Sequence, residues 1–111
     1  MLAGATPPRL RQALFDAQQG VEKSLKAFLI WHDQPYPLTH NLTLLRDMCG
    51  ELDASLLDIV APALVLTDFA MRFRYPGALP QDLTVEDANV WIDAAWQVYQ
   101  AIIERVHHSS E

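Results

Sequence analysis

An apolar stripe with a helical period runs through the first third of the chain and limits what the chain can fold into. Its members recur at spacings of three or four residues: Leu10, Leu14, Ala17, Val21, Leu25 and Phe28. At about 100° per residue, these side chains lie along one side of an α-helix. The spacing therefore predicts a long amphipathic helix over residues 9–32, with Thr6 as its cap and Pro7 and Pro8 in its first turn.

Proline residues separate this helix from a second, shorter one. Pro35 and Pro37 are expected to end the first helix, because proline cannot donate the backbone hydrogen bond that continues a helix. Thr39 is expected to cap a helix over residues 40–52. The inward face of this helix carries Leu42, Leu45 and either Met48 or Cys49. As the chain's single cysteine, Cys49 cannot form an intramolecular disulfide and is interpreted as a small buried residue.

Two further helices follow. One is expected over residues 56–73, after the capping residues Asp53 and Ser55, with a kink or restart at Pro62. The last is expected to start at Thr84, and two acidic residues in its first turn suit the helix dipole. Its inward stripe consists of Ala88, Trp91, Ala95, Val98 or Tyr99, Ile102 and Val106.

Helices joined by short connections, without strand-like alternation, predict an all-α fold, an antiparallel up-down bundle of four main helices. We expect one domain over residues 9–108, with residues 1–8 as a disordered or short arm and residues 109–111 as a tail. The net charge of −6 argues against broad nucleic-acid binding, because phosphate contacts require a surplus of Lys and Arg. No apolar run reaches the about 18 residues of a membrane span, and no signal peptide is evident, so the cytoplasm is the expected location.

Several polar residues are candidates for a binding site. Gln19, Lys23 and Lys26 fall opposite the apolar stripe, where two ammonium groups could contact one anion, or form a solvated face with an ordinary Glu22–Lys26 pair. His40 lies at a predicted helix start, in either a binding or a capping role.

Arg74 could grip a phosphate or carboxylate, or simply be a cation favoured at a helix end. Glycine-rich phosphate loops, nucleophile elbows and metal-ligand spacings are missing from the sequence, so no catalytic residue, cofactor or metal is predicted.

Three segments resemble motifs of the prokaryotic HEPN domain family. Residues 16–27 resemble its QQ-x-x-EK-x-LKA helix, residues 37–42 its P-x-TH-x-L segment, and residues 66–77 its LT-x-YA…RYPG stretch. The resemblance implies a helical bundle that is usually dimeric, often encoded with a small nucleotidyltransferase, and proposed to bind nucleotides or to work in RNA-related systems. The ligand-binding residues carried over from the motifs are Gln19, Lys23, Lys26, His40, Arg74 and Tyr75.

The sequence departs from the family in two ways. HEPN ribonucleases carry an Arg followed, after four to six residues, by a His, and no Arg here has a His at that spacing. Relatives also have one more helix before the signature helix, and only residues 1–8 precede it here. We therefore expect a non-catalytic nucleotide- or RNA-associated module that acts with a partner nucleotidyltransferase in a toxin–antitoxin-like system. The alternatives are an RNA-cleaving toxin that uses Arg74 with His40, or a purely structural dimerisation domain.

The same departure bears on oligomeric state. Trp31, Trp91 and Trp96 cannot all face one small core, and the helix that covers this surface in relatives is expected to be absent. A homodimer is therefore predicted.

Overall fold

The structure, a computed structural model, describes residues 8–67 and 85–109. Within these ranges the chain is helical and contains no strand, which confirms the predicted all-α class. The helices are α1 (Pro8–Trp31), α2 (Leu42–Leu52), α3 (Ser55–Val60) and α4 (Val85–Ser109), with a 3-10 turn at Ala61–Ala63. The predicted cap at Thr6 and the predicted start at Thr84 lie outside the described residues, as do Arg74 and Tyr75.

The C-terminus of α1 is set by Asp33 and not by the prolines that follow it. Asp33 has a φ of 55°, in the left-handed region, directly after the last helical turn. Its N–H donates to Ile30 O at 3.0 Å, and the N–H of Gln34 donates to Leu29 O at 2.8 Å. These two bonds form a Schellman motif, which satisfies carbonyls that the helix end would otherwise leave unpaired.

Replacing Asp33 by glycine should raise the free energy of unfolding. A non-glycine residue pays a steric cost in the left-handed region, which Gly avoids at some cost in chain entropy, so a net gain of about 0.5 kcal/mol is expected. Chemical denaturation of both proteins measures it. Gln34→Gly is the matched control, because Asp33 is the one non-glycine residue with a positive φ among those described, and this variant should lose stability. A loss of stability in Asp33→Gly would contradict the assigned helix end.

Asn41 caps α2, and the prediction that Thr39 caps a helix starting at His40 was wrong. The Asn41 side chain accepts hydrogen bonds from Thr43 N at 3.0 Å and Leu44 N at 3.3 Å. Thr39 Oγ1 instead accepts from the Asn41 N–H at 3.0 Å. The later start leaves His40 in the connecting segment, where its side chain can turn back towards α1.

The third predicted helix is interrupted at its proline. α3 ends at Val60, and the tighter turn that follows contains Pro62, at the position where a kink or restart was predicted. The residue before α3, Ala54, offers no side-chain cap. Asp53 stabilises the start of α3 from one residue further back, because its carboxylate accepts hydrogen bonds from the N–H and the hydroxyl of Ser55. The predicted continuation to residue 73 extends beyond the described range, which stops at residue 67.

The core lies between α1 and α4 and is closed by α2 and α3. The buried apolar side chains of α1 are Leu14, Val21, Leu25, Phe28 and Leu29. On α4, Val98 is buried whereas Tyr99 is 46% exposed, which decides between the two residues that the spacing left open. Cys49 is buried as predicted; its Sγ donates to Leu25 O at 3.5 Å, and burial raises the pKa of the thiol to about 12.

α1 and α4 run in the same direction, which differs from strict up-down alternation. Ala13 and Ala17, in the first half of α1, line the same groove as Ile92, whereas Ala27 lines a groove with Val106, near the end of α4. The segment between α1 and α2 carries the chain back along α1, because His40 contacts Gln18 and Glu22.

Arg105 ties α4 to the turn between α2 and α3. Its Nε donates to Asp53 Oδ2 at 2.7 Å, and a terminal nitrogen donates to Ser55 Oγ at 2.8 Å. Hydrogen bonds from Ser55 and Arg105 hold the pKa of Asp53 below its ordinary value. The ionised pair therefore persists at neutral pH and joins residues 52 positions apart in the chain.

Candidate functional site

A buried carboxylate on α1 organises a polar cluster at the edge of the core. Glu22 is 5% exposed and Gln18 is fully buried. Glu22 Oε1 accepts from Gln18 Nε2 at 3.2 Å and contacts His40 Nδ1 at 2.7 Å, while Oε2 accepts from Lys26 Nζ at 3.0 Å. These four residues, Gln18, Glu22, Lys26 and His40, form what we call the Glu22 cluster.

The backbone explains why these side chains meet. Gln18, Glu22 and Lys26 are spaced four residues apart, so they follow one face of α1. His40 comes from the returning segment, whose position is fixed by a 3.4 Å contact from Gln18 Nε2 to the His40 carbonyl. The start of α2 is held in turn by the Leu42 N–H, which donates to Thr67 Oγ1 at 3.2 Å.

Two further residues extend the cluster. Gln19 Nε2 donates to Gln18 Oε1 at 2.7 Å, so the Gln18 amide is held on both sides. The Lys26 ammonium lies 5.4 Å from the centre of the Tyr36 ring, within range of a cation–π interaction. Lys26 is thus positioned by both Glu22 and Tyr36, and its side chain is 17% exposed.

Glu22 is ionised despite its burial. Burial alone would raise its pKa, but hydrogen bonds from His40, Lys26 and Gln18, together with the Lys26 charge, hold the pKa of Glu22 below its ordinary value. A carboxylate only accepts hydrogen bonds, so Nδ1 of His40 carries the proton in this contact. The structure therefore selects one tautomer of the neutral imidazole.

The sequence-predicted site residues separate into three groups. Gln19, Lys26 and His40 lie in or beside the Glu22 cluster. Lys23 does not: it lines a groove between α1 and α4 together with Trp31 and Tyr99. Arg74 and Tyr75 are outside the described residues.

Gln18 and Glu22 are central to the cluster, yet they were not among the predicted site residues. A signal for Gln18 was present, because Leu14, Gln18, Val21, Leu25 and Phe28 follow one another at spacings of four, three, four and three. This sequence of steps places Gln18 on the buried stripe. Glu22 was considered only as the partner of Lys26 on a solvated face; that pair exists, but it is largely buried.

A second surface feature is an apolar groove between α1 and α4. Small residues predominate on its α1 side, and its α4 side presents Trp96, Tyr99 and Ile103, which are 57%, 46% and 45% exposed. We call this surface the α1/α4 groove; on α1 it is lined by Ala13, Asp16, Ala17, Gly20, Lys23, Ser24, Ala27 and Trp31.

Residues 8–67 and 85–109 contain no group of three or more His, Cys, Asp or Glu side chains that could hold a metal ion. None of the helices described here combines the length and apolar character that crossing a membrane requires.

The Glu22 cluster and the α1/α4 groove lie in a region that matches a known domain family. A family model described as HEPN domain matches residues 8–106. The chain belongs to the HEPN domain family. No curated protein and no solved structure matches the chain. The HEPN match runs from the start of α1 almost to the end of α4, so the Glu22 cluster and the α1/α4 groove are both parts of the HEPN domain.

Proposed function

We propose that this HEPN domain is a non-catalytic module that binds a nucleotide or RNA at the Glu22 cluster. In this proposal it acts with a partner nucleotidyltransferase in a toxin–antitoxin-like system. The proposed site is supported by one observation: Lys26 and His40 both contact the buried Glu22 carboxylate, and Gln19 binds Gln18 beside it. Burying an ionised carboxylate costs free energy, because the charge loses its hydration.

The charges of the cluster and of the whole chain favour a small ligand over a long nucleic acid. Glu22 offsets the charge of Lys26, so the described part of the site has little net charge when His40 is neutral. Long RNA helices require many phosphate contacts, which the overall charge of −6 disfavours. A single nucleotide, or one exposed nucleotide of an RNA, needs only a few contacts. We propose that Arg74 and Tyr75 supply further contacts to the same ligand.

Arg74→Ala and His40→Ala should each weaken nucleotide binding about 10- to 150-fold, because each removes a charge-assisted contact worth about 1.5–3 kcal/mol. Calorimetric titration with adenosine monophosphate measures the effect. Lys23→Ala is the matched control: Lys23 lies on the same helix but lines the α1/α4 groove, so its loss should leave the affinity unchanged. The placement of the site would be contradicted if all three variants lost the same amount of affinity, or if none of them lost affinity.

One observation favours a second function, RNA cleavage. An imidazole oriented by a buried carboxylate, as His40 is by Glu22, is an arrangement that general bases use. The ribonuclease spacing of Arg and His is nevertheless absent from this sequence. His40→Ala separates the two functions in an assay of purified protein with RNA and a chelator. A ribonuclease would show cleavage that disappears in the variant, whereas a binding module would show none in either protein.

We also propose that the chain forms a homodimer through the α1/α4 groove. Gly20 lies in the middle of α1 and lines this groove, and a Cβ added there would meet no atom of the described residues within 4 Å. Gly costs about 1 kcal/mol relative to Ala inside a helix, and packing among the described residues does not account for that cost. A partner helix that approaches α1 closely would account for it and would also cover Trp96, Tyr99 and Ile103.

Trp96→Glu should dissociate this dimer. A charge placed in the groove cannot be buried against an apolar partner surface, and dimer affinity should fall by at least about 100-fold, in line with a central aromatic contact of an interface. Light scattering coupled to gel filtration at low micromolar concentration measures the mass. Val90→Glu is the control, since Val90 is 65% exposed on α4 but does not line the groove. A wild-type mass of 12.5 kDa would contradict the dimer, and a purely structural dimerisation domain would dimerise without binding nucleotide.

A further inference from the structure

His40 connects a buried carboxylate to the protein surface. Its Nδ1 lies 2.7 Å from Glu22 Oε1, and the side chains of the two residues are 59% and 7% exposed, respectively. Among residues 8–67 and 85–109, the second ring nitrogen, Nε2, makes no hydrogen bond. One nitrogen of the ring therefore contacts Glu22, while the other has no hydrogen-bond partner in the described part of the chain.

The state of Nε2 depends on the charge of the ring. In the neutral ring the proton is on Nδ1, so Nε2 is a bare acceptor that cannot bond to a phosphate oxygen. Protonation converts Nε2 into a cationic N–H donor and leaves the contact with Glu22 intact. The sum of the charges on Glu22, Lys26 and His40 then changes from zero to plus one.

We propose that a phosphodiester binds this HEPN domain together with one proton, which His40 takes up at Nε2. The proposal rests on the proposed nucleotide or RNA binding and adds a rule for its regulation: affinity rises as the pH falls. Among the described residues, the ionisable group that contacts His40 is Glu22. Lys26 binds the other oxygen of Glu22, and the ring of Tyr36 lies beside the Lys26 ammonium. Glu22 is ionised and stabilises the imidazolium, whereas Lys26 opposes it from the far side of the carboxylate.

Glu22 acts here as a positioning residue. It is held by Gln18, which is fully buried and is itself held by Gln19, so the carboxylate cannot turn away from the ring without breaking several hydrogen bonds. Glu22→Gln keeps the size of the side chain but removes its charge. In this variant the imidazolium loses its counter-ion, so the rise in affinity should occur at a lower pH.

The proton link can be tested with an oligothymidylate that ends in a 5′-hydroxyl. Its phosphodiesters and bases keep a constant charge between about pH 5 and about pH 8, the range in which His titrates, so the protein alone supplies any pH dependence. Calorimetry across this range should show wild-type affinity that increases by up to about tenfold for each unit of decrease in pH, the limit for one linked proton. His40→Gln should bind weakly with no dependence on pH over this range.

A second histidine provides the matched control. The His32 ring packs against Phe28 in a tilted arrangement, with ring centres 4.5 Å apart, and lies outside the Glu22 cluster, so His32→Gln should keep the wild-type dependence on pH. Wild-type affinity that does not change with pH would overturn the proton link and leave the binding function standing. A pH dependence retained in His40→Gln would also overturn it. No binding of the oligothymidylate at any pH would overturn the proton link, and the proposed binding function would fall with it only if adenosine monophosphate also failed to bind.

Discussion

Replacing Glu22 by alanine should lower the free energy of unfolding by about 2–3 kcal/mol. Removing one partner of a fully buried ion pair typically costs about 3–5 kcal/mol, because the other charge stays buried without a partner. The cost here should be smaller, since the side chains of Lys26 and His40 keep access to water. Gln18 cannot reach water, so its amide retains only the long contact to the His40 carbonyl and its bond with Gln19.

Chemical denaturation at neutral pH measures this loss, and Glu51→Ala supplies the control. Glu51 is exposed on α2, so its replacement should change stability by less than about 0.5 kcal/mol. If both variants lose the same small amount, the burial and bonding of Glu22 are contradicted.

Acid should remove the stability that Glu22 contributes. Its pKa in the folded protein is below its ordinary value, so the contribution is complete above the pKa of the unfolded chain, about 4.3 for a glutamate. The contribution is lost as the pH falls through the lower, folded-state value. The difference in stability between the wild type and Glu22→Ala should therefore shrink below about pH 4.3.

Phe28→Ala should cost about 3–5 kcal/mol, the range for deleting a large aromatic side chain from a packed core. Phe28 is 2% exposed, lies on the buried stripe of α1 and packs on the ring of His32. A domain of this size has about 5–15 kcal/mol of stability in total, so the variant should melt well below the wild type.

Thermal and chemical unfolding of Phe28→Ala should be compared with Ile30→Ala. Ile30 is two residues away on the same helix, is 58% exposed, and should change stability by less than about 0.5 kcal/mol. A larger loss in Ile30→Ala than in Phe28→Ala would mean that α1 turns a different face to the core.

Local periodicity predicted the helices, whereas their ends depended on single residues with weak signals. The stripe from Leu10 to Phe28 identifies α1 because its spacing excludes a strand. The end of α1 was harder to predict. Asp33 adopts the left-handed conformation there, and Asp does so less often than Gly, so its presence is a weak signal for a helix end. The break at Pro62 was predictable, because proline removes a backbone donor wherever it occurs.

The Glu22 cluster was only partly predictable, because the sequence does not show directly whether a polar residue is buried. Gln19, Lys26 and His40 were identified through motif resemblance, but periodicity alone assigned Lys26 to a solvated face. The contact between His40 and Glu22 spans 18 residues and depends on the path of the returning segment, which no local pattern specifies. Periodicity also placed Lys23 on the same face as Lys26. In the structure Lys23 lines the α1/α4 groove, whereas Lys26 binds Glu22.

The close packing of α1 against α4 has a consequence for synthesis on the ribosome. α1 makes its most extensive contacts with α4, which begins at Val85, 54 residues after α1 ends at Trp31. At about 5–20 residues per second, several seconds of translation separate the two helices. During that time the apolar stripe of α1 lacks its main covering surface, so the nascent chain is a candidate for chaperone protection until α4 has emerged.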